Sequence, residues 1–208
     1  MVTESEALVV VDPPPFVLKL PQPVDESQLI AIAQENPGYR FETTADGRLV
    51  VSFLTGTFAN GGEVELIRQL GNWNVARQGG RILSSSGGFT LANGAIAGPD
   101  GAFVSHERLA TLDPERDDRA FERIAPEAVF EVLSPSDNRR YTDEKCRAYV
   151  ATGSDVAVLI NPRDRSVTLY RAGREPAVVP DATLVTIGDE LPGFTLDAAA
   201  IFAAGKRP

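Results

Sequence analysis

The chain has 208 residues, of which 43% are hydrophobic and 24% charged, and its formal net charge is −9. This length and apolar content predict one globular domain with its own core. The sequence has no apolar run long enough for a membrane-spanning helix and no signal-peptide pattern at its start, so we expect a cytoplasmic protein.

The negative charge argues against a protein that binds nucleic acid over its whole surface, because such proteins are usually basic. The charge is uneven, however. Residues 1–130 carry nearly all of the acidic excess, whereas residues 131–208 are close to neutral. The second part holds seven arginines that could form a local basic patch: Arg139, Arg140, Arg147, Arg163, Arg165, Arg171 and Arg174.

The first part of the chain predicts an extended segment, a helix and a hairpin. Residues 1–25 are rich in proline and predict an extended segment before a domain of residues 26–208. The helix that follows has Asp25 or Ser27 as its N-cap. Residues 39–54 alternate in polarity on either side of an Asp-Gly turn, which is typical of a β-hairpin.

After a glycine-rich stretch, residues 63–78 predict a second helix. Val64, Ile67, Leu70 and Trp73 recur at helical spacing and are expected to face the core. Two glutamates, Glu63 and Glu65, then fall in the first turn, where the helix dipole favours carboxylates.

The rest of the chain predicts a mixed α/β (α+β) fold, with a mixed central sheet flanked by helices and with additional β-hairpins. Glycine-punctuated strands are expected between residues 81 and 104, and an apolar strand over Ala128–Leu133. A helix is predicted from about Arg139 to Thr152, ending at Gly153. Residues 155–162 then form a strongly apolar strand that we expect near the centre of the sheet, followed by a hairpin partner, short edge strands and a C-terminal helix.

Two carboxylates stand out in this pattern. Asp100 lies between proline and glycine at the mouth of a predicted strand, although Pro-Asp-Gly is also an ordinary turn sequence. Glu131 lies inside an apolar strand, on the face that it shares with Val129 and Leu133. A carboxylate there is either exposed at an edge or paired with a cation, because burying it alone costs several kcal/mol.

Lys145 lies on the face of the following helix that is expected to pack on the sheet, with Tyr141 and Tyr149. Its aliphatic stem could also carry the ammonium out to solvent. If it points inward, Asp100, Glu131 and Lys145 form one device. The two carboxylates would bind Mg²⁺, or Mn²⁺ in its place, and the lysine would stabilise negative charge on a phosphoryl group.

The stretches SSSGGFTLANGAIAGPDGAFVS and PEAVFEVLSPSDNRRYTDEKCRAYVATGSDVAVLINP resemble the Uma-two family of proposed restriction endonucleases. The resemblance covers roughly residues 25–203. It implies a restriction-endonuclease-like core of the PD-(D/E)XK type and a metal-dependent endonuclease that acts on DNA, with Asp100 and Glu131 as its acidic pair. The usual strand lysine is absent, since Leu133 stands there, and Lys145 is its natural substitute.

The resemblance also points to Glu65 and Glu42 as additional acidic positions, either of which could instead be an ordinary surface or helix-dipole acid. A nuclease that cuts two strands needs two sites, so we expect a homodimer. An alternative is a catalytically inactive protein that keeps the nuclease fold as a binding or interaction module. It predicts that Lys145 points to solvent or that Glu131 pairs with an arginine.

Other nucleophile arrangements are weaker. The single cysteine, Cys146, excludes an internal disulfide and is expected to be an inert packed thiol. His106 has no second histidine or cysteine nearby and is expected at the surface or at a helix cap. A serine hydrolase built on Ser84–Ser86 and His106 lacks the strained strand-to-helix turn that presents such a nucleophile.

Overall fold

The structure, a computed structural model, describes residues 15–53, 57–117, 119–135 and 137–206, without the side chains of residues 57–59. The helices in this part of the chain are α1 (Glu26–Glu35), α2 (Thr57–Arg77), α3 (His106–Leu109), α4 (Arg139–Ala151) and α5 (Ala198–Ala204). The strands are β1 (Phe16–Leu18), β2 (Tyr39–Thr43), β3 (Leu49–Phe53), β4 (Gly80–Ser84), β5 (Phe89–Thr90), β6 (Ile96–Ala97), β7 (Gly101–Ser105), β8 (Ala128–Val132), β9 (Val156–Asn161), β10 (Ser166–Tyr170), β11 (Ala177–Val179), β12 (Leu184–Thr186) and β13 (Thr195–Asp197).

A six-stranded mixed sheet forms the centre of the fold, in the order β11-β10-β9-β8-β7-β4. Only β8 and β9 pair in parallel within it, and helix α4 makes the crossover that a parallel pair requires. Strand β9 is central, as the apolar sequence of residues 155–162 predicts. The mixed α/β class with a mixed sheet, flanking helices and additional hairpins is therefore confirmed.

Each face of this sheet is covered by helices. Leu66 and Leu70 of α2 and Phe202 of α5 pack with Phe130 on one face. Cys146 and Tyr149 of α4 pack on the other. The alternation predicted for β8 is present, because Val129 lies on the α4 side and Phe130 on the α2 side. Burial raises the pKa of the Cys146 thiol well above its usual value, which keeps it protonated.

A second, five-stranded antiparallel sheet runs in the order β1-β3-β2-β6-β5 and contains the predicted hairpin of β2 and β3. Helix α1 begins at the predicted N-cap Asp25, whose carboxylate accepts a hydrogen bond from the Gln28 backbone N–H. Within the proposed N-terminal segment, Phe16–Leu18 pairs with β3, while residues 1–14 lie outside the described residues. The division at residue 25 stays a prediction.

Helix α2 begins six residues earlier than its sequence suggests, because Gly61 and Gly62 are helical rather than breakers. These glycines let α5 lie close, since a side chain at Gly61 would collide with the Ala204 carbonyl oxygen. The structure also corrects two expectations for this helix. Val64 is 61% exposed and does not face the core, and neither Glu63 nor Glu65 lies in the first turn. None of the helices in the described part of the chain is both long and apolar enough to cross a membrane.

Candidate functional site

The fold brings Asp100 and Glu131 together. Strand β7 pairs antiparallel with β8, with Gly101 opposite Phe130, so one further step of the register sets Asp100 opposite Glu131. Both residues are 6% exposed and line one cavity of about 70 Å³. The Val132 backbone N–H donates to Asp100 Oδ2 at 2.8 Å and fixes the aspartate against the end of β8.

Lys145 points into the same cavity. Its Nζ lies 2.9 Å from Glu131 Oε1 and 2.9 Å from Glu42 Oε1. It also donates to the Gly98 carbonyl oxygen at 2.9 Å. Lys145 lies at the margin of the buried stripe of α4, and its side chain is only 12% exposed. The ammonium is therefore enclosed by the site and does not reach solvent.

Strand β2 contributes two residues to the site: Glu42, which the sequence suggested, and Arg40, which it did not. Glu42 accepts a hydrogen bond from the Gly98 N–H at 2.7 Å. Arg40, two residues earlier and hence on the same face, donates to Asp100 Oδ1 at 3.2 Å and to the Gly98 carbonyl oxygen at 3.0 Å. Its spacing from Glu42 is the signal in the sequence that could have identified it.

The two additional acidic positions separate in the structure. Glu42 lies inside the cavity, whereas Glu65 is bound by Arg68 at 2.6 Å and by Gln69 at 3.0 Å, away from the cavity-lining residues. The α2 residue that lines the cavity is Glu63, which is 8% exposed. Sequence reasoning missed it by assigning Glu63 to the helix dipole, although Glu63 precedes the buried Leu66 and Leu70 by three and seven residues and therefore shares their face.

Burial and charge set the protonation of the site. Burial, reinforced by the Asp100 and Glu42 carboxylates against the Lys145 ammonium, raises the pKa of Glu131 to about 8. Burial also disfavours the charged lysine, but the Glu131 and Glu42 carboxylates outweigh it and hold the pKa of Lys145 well above its usual value. At neutral pH Glu131 is thus mostly protonated, and Lys145 remains a cation held by Glu42.

The donor set fits a divalent cation. Glu131 Oε1 is buried, and Lys145 Nζ lies 2.9 Å from it. In the described ranges no three His, Cys, Asp or Glu residues converge as metal ligands. Mg²⁺ needs only one or two carboxylates, since it keeps several of its waters, so Asp100 and Glu131 are a sufficient protein set.

Gly98 organises these side chains, and we expect its replacement by alanine to disturb all of them. Its backbone N–H donates to Glu42, and its carbonyl oxygen accepts from Lys145 and Arg40. An added Cβ would lie 2.9 Å from the Gly87 carbonyl oxygen. We expect Gly98→Ala to lower the free energy of unfolding by roughly 1–3 kcal/mol, measured by urea denaturation.

The matched control is Gly71→Ala in helix α2, where an added Cβ meets nothing within 4 Å. Alanine is the better helix former, so this change is expected to leave stability unchanged or to raise it by up to about 1 kcal/mol. Equal effects of the two substitutions would mean that the Gly98 peptide does not organise the site.

The structure also tests the serine hydrolase. Ser84 pairs with Gly101, whereas the partner of Gly80 is Ser105, next to His106. Ser84–Ser86 and His106 therefore lie at opposite ends of the β4–β7 ladder, roughly 13 Å apart along the strands. His106 is exposed in α3, as expected.

Comparisons with known proteins identify the fold and the family of the chain. A structure from Anabaena variabilis, described as "a putative nuclease belonging to DUF820", matches with a TM-score of 0.68 and 17% sequence identity. The match covers 86% of this chain and 99% of that one, and at this identity it shows a shared fold. No curated protein matches the chain. The family model Uma2, described as "Putative restriction endonuclease", matches residues 25–199, which include every residue of the cavity except Pro15. The chain belongs to the Uma2 family.

Proposed function

We propose that this protein is a metal-dependent endonuclease that hydrolyses phosphodiester bonds of DNA. The observation that carries the proposal is the shared cavity of Asp100 and Glu131, with Lys145 Nζ 2.9 Å from Glu131. Membership of a family described as restriction endonucleases supports the same reaction class and the choice of DNA.

In this proposal Asp100 and Glu131 would hold one Mg²⁺ or Mn²⁺ ion. Such an ion would supply polarisation of a phosphoryl oxygen and activation of a water molecule. The Lys145 ammonium stabilises negative charge on the phosphoryl oxygens as the water oxygen bonds to phosphorus and the phosphorus–oxygen bond to one sugar breaks, which releases that sugar oxygen as a hydroxyl group. Glu42 and the Gly98 carbonyl oxygen hold that ammonium in position, so it needs little reorganisation during the reaction.

Metal titration and plasmid nicking test the proposal. We expect the wild-type protein to bind Mg²⁺ or Mn²⁺ by calorimetry and to nick plasmid DNA. Replacing either ligand, by Asp100→Asn or Glu131→Gln, should weaken metal binding and lower the nicking rate by at least about 100-fold, because each removes a carboxylate from a two-carboxylate set.

Glu65→Gln is the control, since Glu65 lies on the same helix as Glu63 but does not line the cavity. It should retain metal affinity and nicking within about twofold. A wild-type protein with neither metal affinity nor nicking activity would refute the enzyme proposal.

A second candidate is a catalytically inactive nuclease-fold module, and one contact favours it. Arg40 already neutralises Asp100 through a 3.2 Å ion pair, so the acidic pair is partly satisfied without a metal. The same alternative predicts that Lys145 points to solvent or that Glu131 pairs with an arginine. Neither is present, because Lys145 is enclosed and lies 2.9 Å from Glu131. Metal binding that is strengthened by Arg40→Gln but never accompanied by nicking would support the module.

We also propose a homodimer, because cleavage of both DNA strands requires two sites in one assembly. Light scattering coupled to size exclusion should give twice the chain mass of 22.3 kDa. A monomer that only nicks single strands would overturn the dimer and leave the hydrolytic site intact.

A further inference from the structure

A groove of about 650 Å³ opens beside the carboxylate cavity, where the parallel strands β8 and β9 end. Its walls come from the loop after β8, the loop after β9, the first residue of α4 and the end of the described chain. In sheets with parallel strands, ligands commonly bind in the crevice at the carboxyl ends. The groove is therefore in a favourable place for a ligand of the neighbouring site.

The groove and the carboxylate cavity are neighbours. Asp137 lines both of them. Leu133 of the groove follows Glu131 by two residues, and Gly62 of the groove directly precedes Glu63 of the cavity. The cavity, at about 70 Å³, is too small for a nucleotide, whereas a groove of about 650 Å³ is in the range of ligand sites.

The groove carries a small excess of positive charge, with three cations, Arg139, Arg163 and Lys206, against two carboxylates, Asp137 and Asp164. Asp164 is paired with Arg139 at 2.7 Å, whereas Asp137 accepts a hydrogen bond from the Ser134 N–H at 2.7 Å and keeps its charge. Arg163 and Lys206 are exposed, and no carboxylate of the described residues lies within ion-pair range of either side chain. A locally basic groove thus adjoins an acidic cavity in a chain of net charge −9.

We propose that this groove binds the phosphodiester backbone of the nucleic-acid strand beside the bond to be hydrolysed, with Arg163 and Lys206 contacting phosphates. The inference rests on the proposed function, because the adjoining carboxylate site defines which ligand must extend from it. A strand whose scissile phosphate lies in the cavity has to continue outward, and its next phosphates meet the two cations in the groove. DNA and RNA share this backbone chemistry.

Fluorescence anisotropy with labelled oligonucleotides tests the groove in the Glu131→Gln background, where hydrolysis is not expected. The probes are duplex DNA, single-stranded DNA and single-stranded RNA of one sequence, with Mg²⁺ present. The double change Arg163→Ala/Lys206→Ala should raise the Kd by at least about tenfold for the bound probe. It should also reduce the slope of log Kd against log salt by about 2, one unit for each lost phosphate contact.

The control is Arg174→Ala, an exposed arginine at the opposite end of the central sheet, which should change the Kd by less than about twofold. Both cations of the groove are at the surface, so circular dichroism should show an unchanged fold. Unchanged binding of every probe by the double variant, or no binding by the parent protein, overturns the groove.

Binding and hydrolysis separate the two proposals. Plasmid nicking is measured with Arg163→Ala/Lys206→Ala in the wild-type background. Retained nicking there, together with unchanged binding in the Glu131→Gln background, refutes the groove and leaves the nuclease standing. Weakened binding by the double variant, in a protein whose wild-type form never hydrolyses a strand, supports the groove and refutes the nuclease. The probe with the largest difference in Kd identifies the preferred nucleic acid.

Discussion

Replacing Lys145 with methionine is expected to destabilise the metal-free protein by roughly 3–5 kcal/mol at pH 8. Methionine keeps the apolar stem but removes the ammonium that lies 2.9 Å from both Glu42 and Glu131. Both carboxyl groups are buried, so each must then either stay ionised without a counter-ion or take up a proton. Guanidinium denaturation of the two proteins in EDTA measures the difference.

Two further variants isolate the electrostatic cause. Lys19→Met removes an exposed lysine and should change stability by no more than about 0.5 kcal/mol. Adding Glu42→Gln to Lys145→Met should restore part of the loss, because it removes the carboxylate that no longer has its cation. If the double variant is as unstable as Lys145→Met, lost packing rather than unpaired charge explains the effect.

The acidic pair could be predicted from the sequence because its signals are local. Glu131 interrupts an apolar strand, and Asp100 precedes the apolar run of another, so each is conspicuous within its own segment. The alternation of β8 placed Glu131 on the face of Val129, and the structure packs helix α4 on that face with Lys145 against Glu131. Such inferences need only strand and helix periodicity, which the fold retains.

The rest of the site depends on contacts between distant segments. Arg40 reaches Asp100 across 60 residues of sequence, and Glu63 enters the cavity because α2 packs its Leu66 face on the central sheet. The start of α2 at Thr57 also depends on packing, since Gly61 is a poor helix former that is tolerated to let α5 approach. The family resemblance pointed to Glu65 as an additional acidic position, whereas the glutamate of α2 that lines the cavity is Glu63.

These contacts also bear on how a metal would enter. In the metal-free protein the acidic pair is balanced by groups of the chain itself: Arg40 on Asp100, and a proton on Glu131 at neutral pH. An ion must compete with both. A change of pH alters the protonation of Glu131 and thereby its competition with a metal ion.

The pH dependence of stability is expected to reveal the proton on Glu131. Its folded pKa of about 8 lies above the ordinary value of 4.5, so the folded protein keeps a proton that the unfolded chain loses. The resulting stability is fully present below about pH 4.5 and is lost as pH rises towards 8. In EDTA, the free energy of unfolding of the wild-type protein should fall by up to roughly 4 kcal/mol across this window.

Comparison with Glu131→Gln separates this effect from other titrating groups, because glutamine stays neutral at every pH. The variant should lack the decline, so the difference in stability between the two proteins should grow steadily from pH 5 to pH 8. Glu65→Gln should follow the wild type over that range, since Arg68 lowers the pKa of Glu65 and its stabilising effect is lost only in acid. Parallel curves for wild type and Glu131→Gln would show that Glu131 is ionised throughout. An ionised Glu131 would be paired with Lys145, so an incoming metal ion would then compete with two cations of the chain, Arg40 on Asp100 and Lys145 on Glu131.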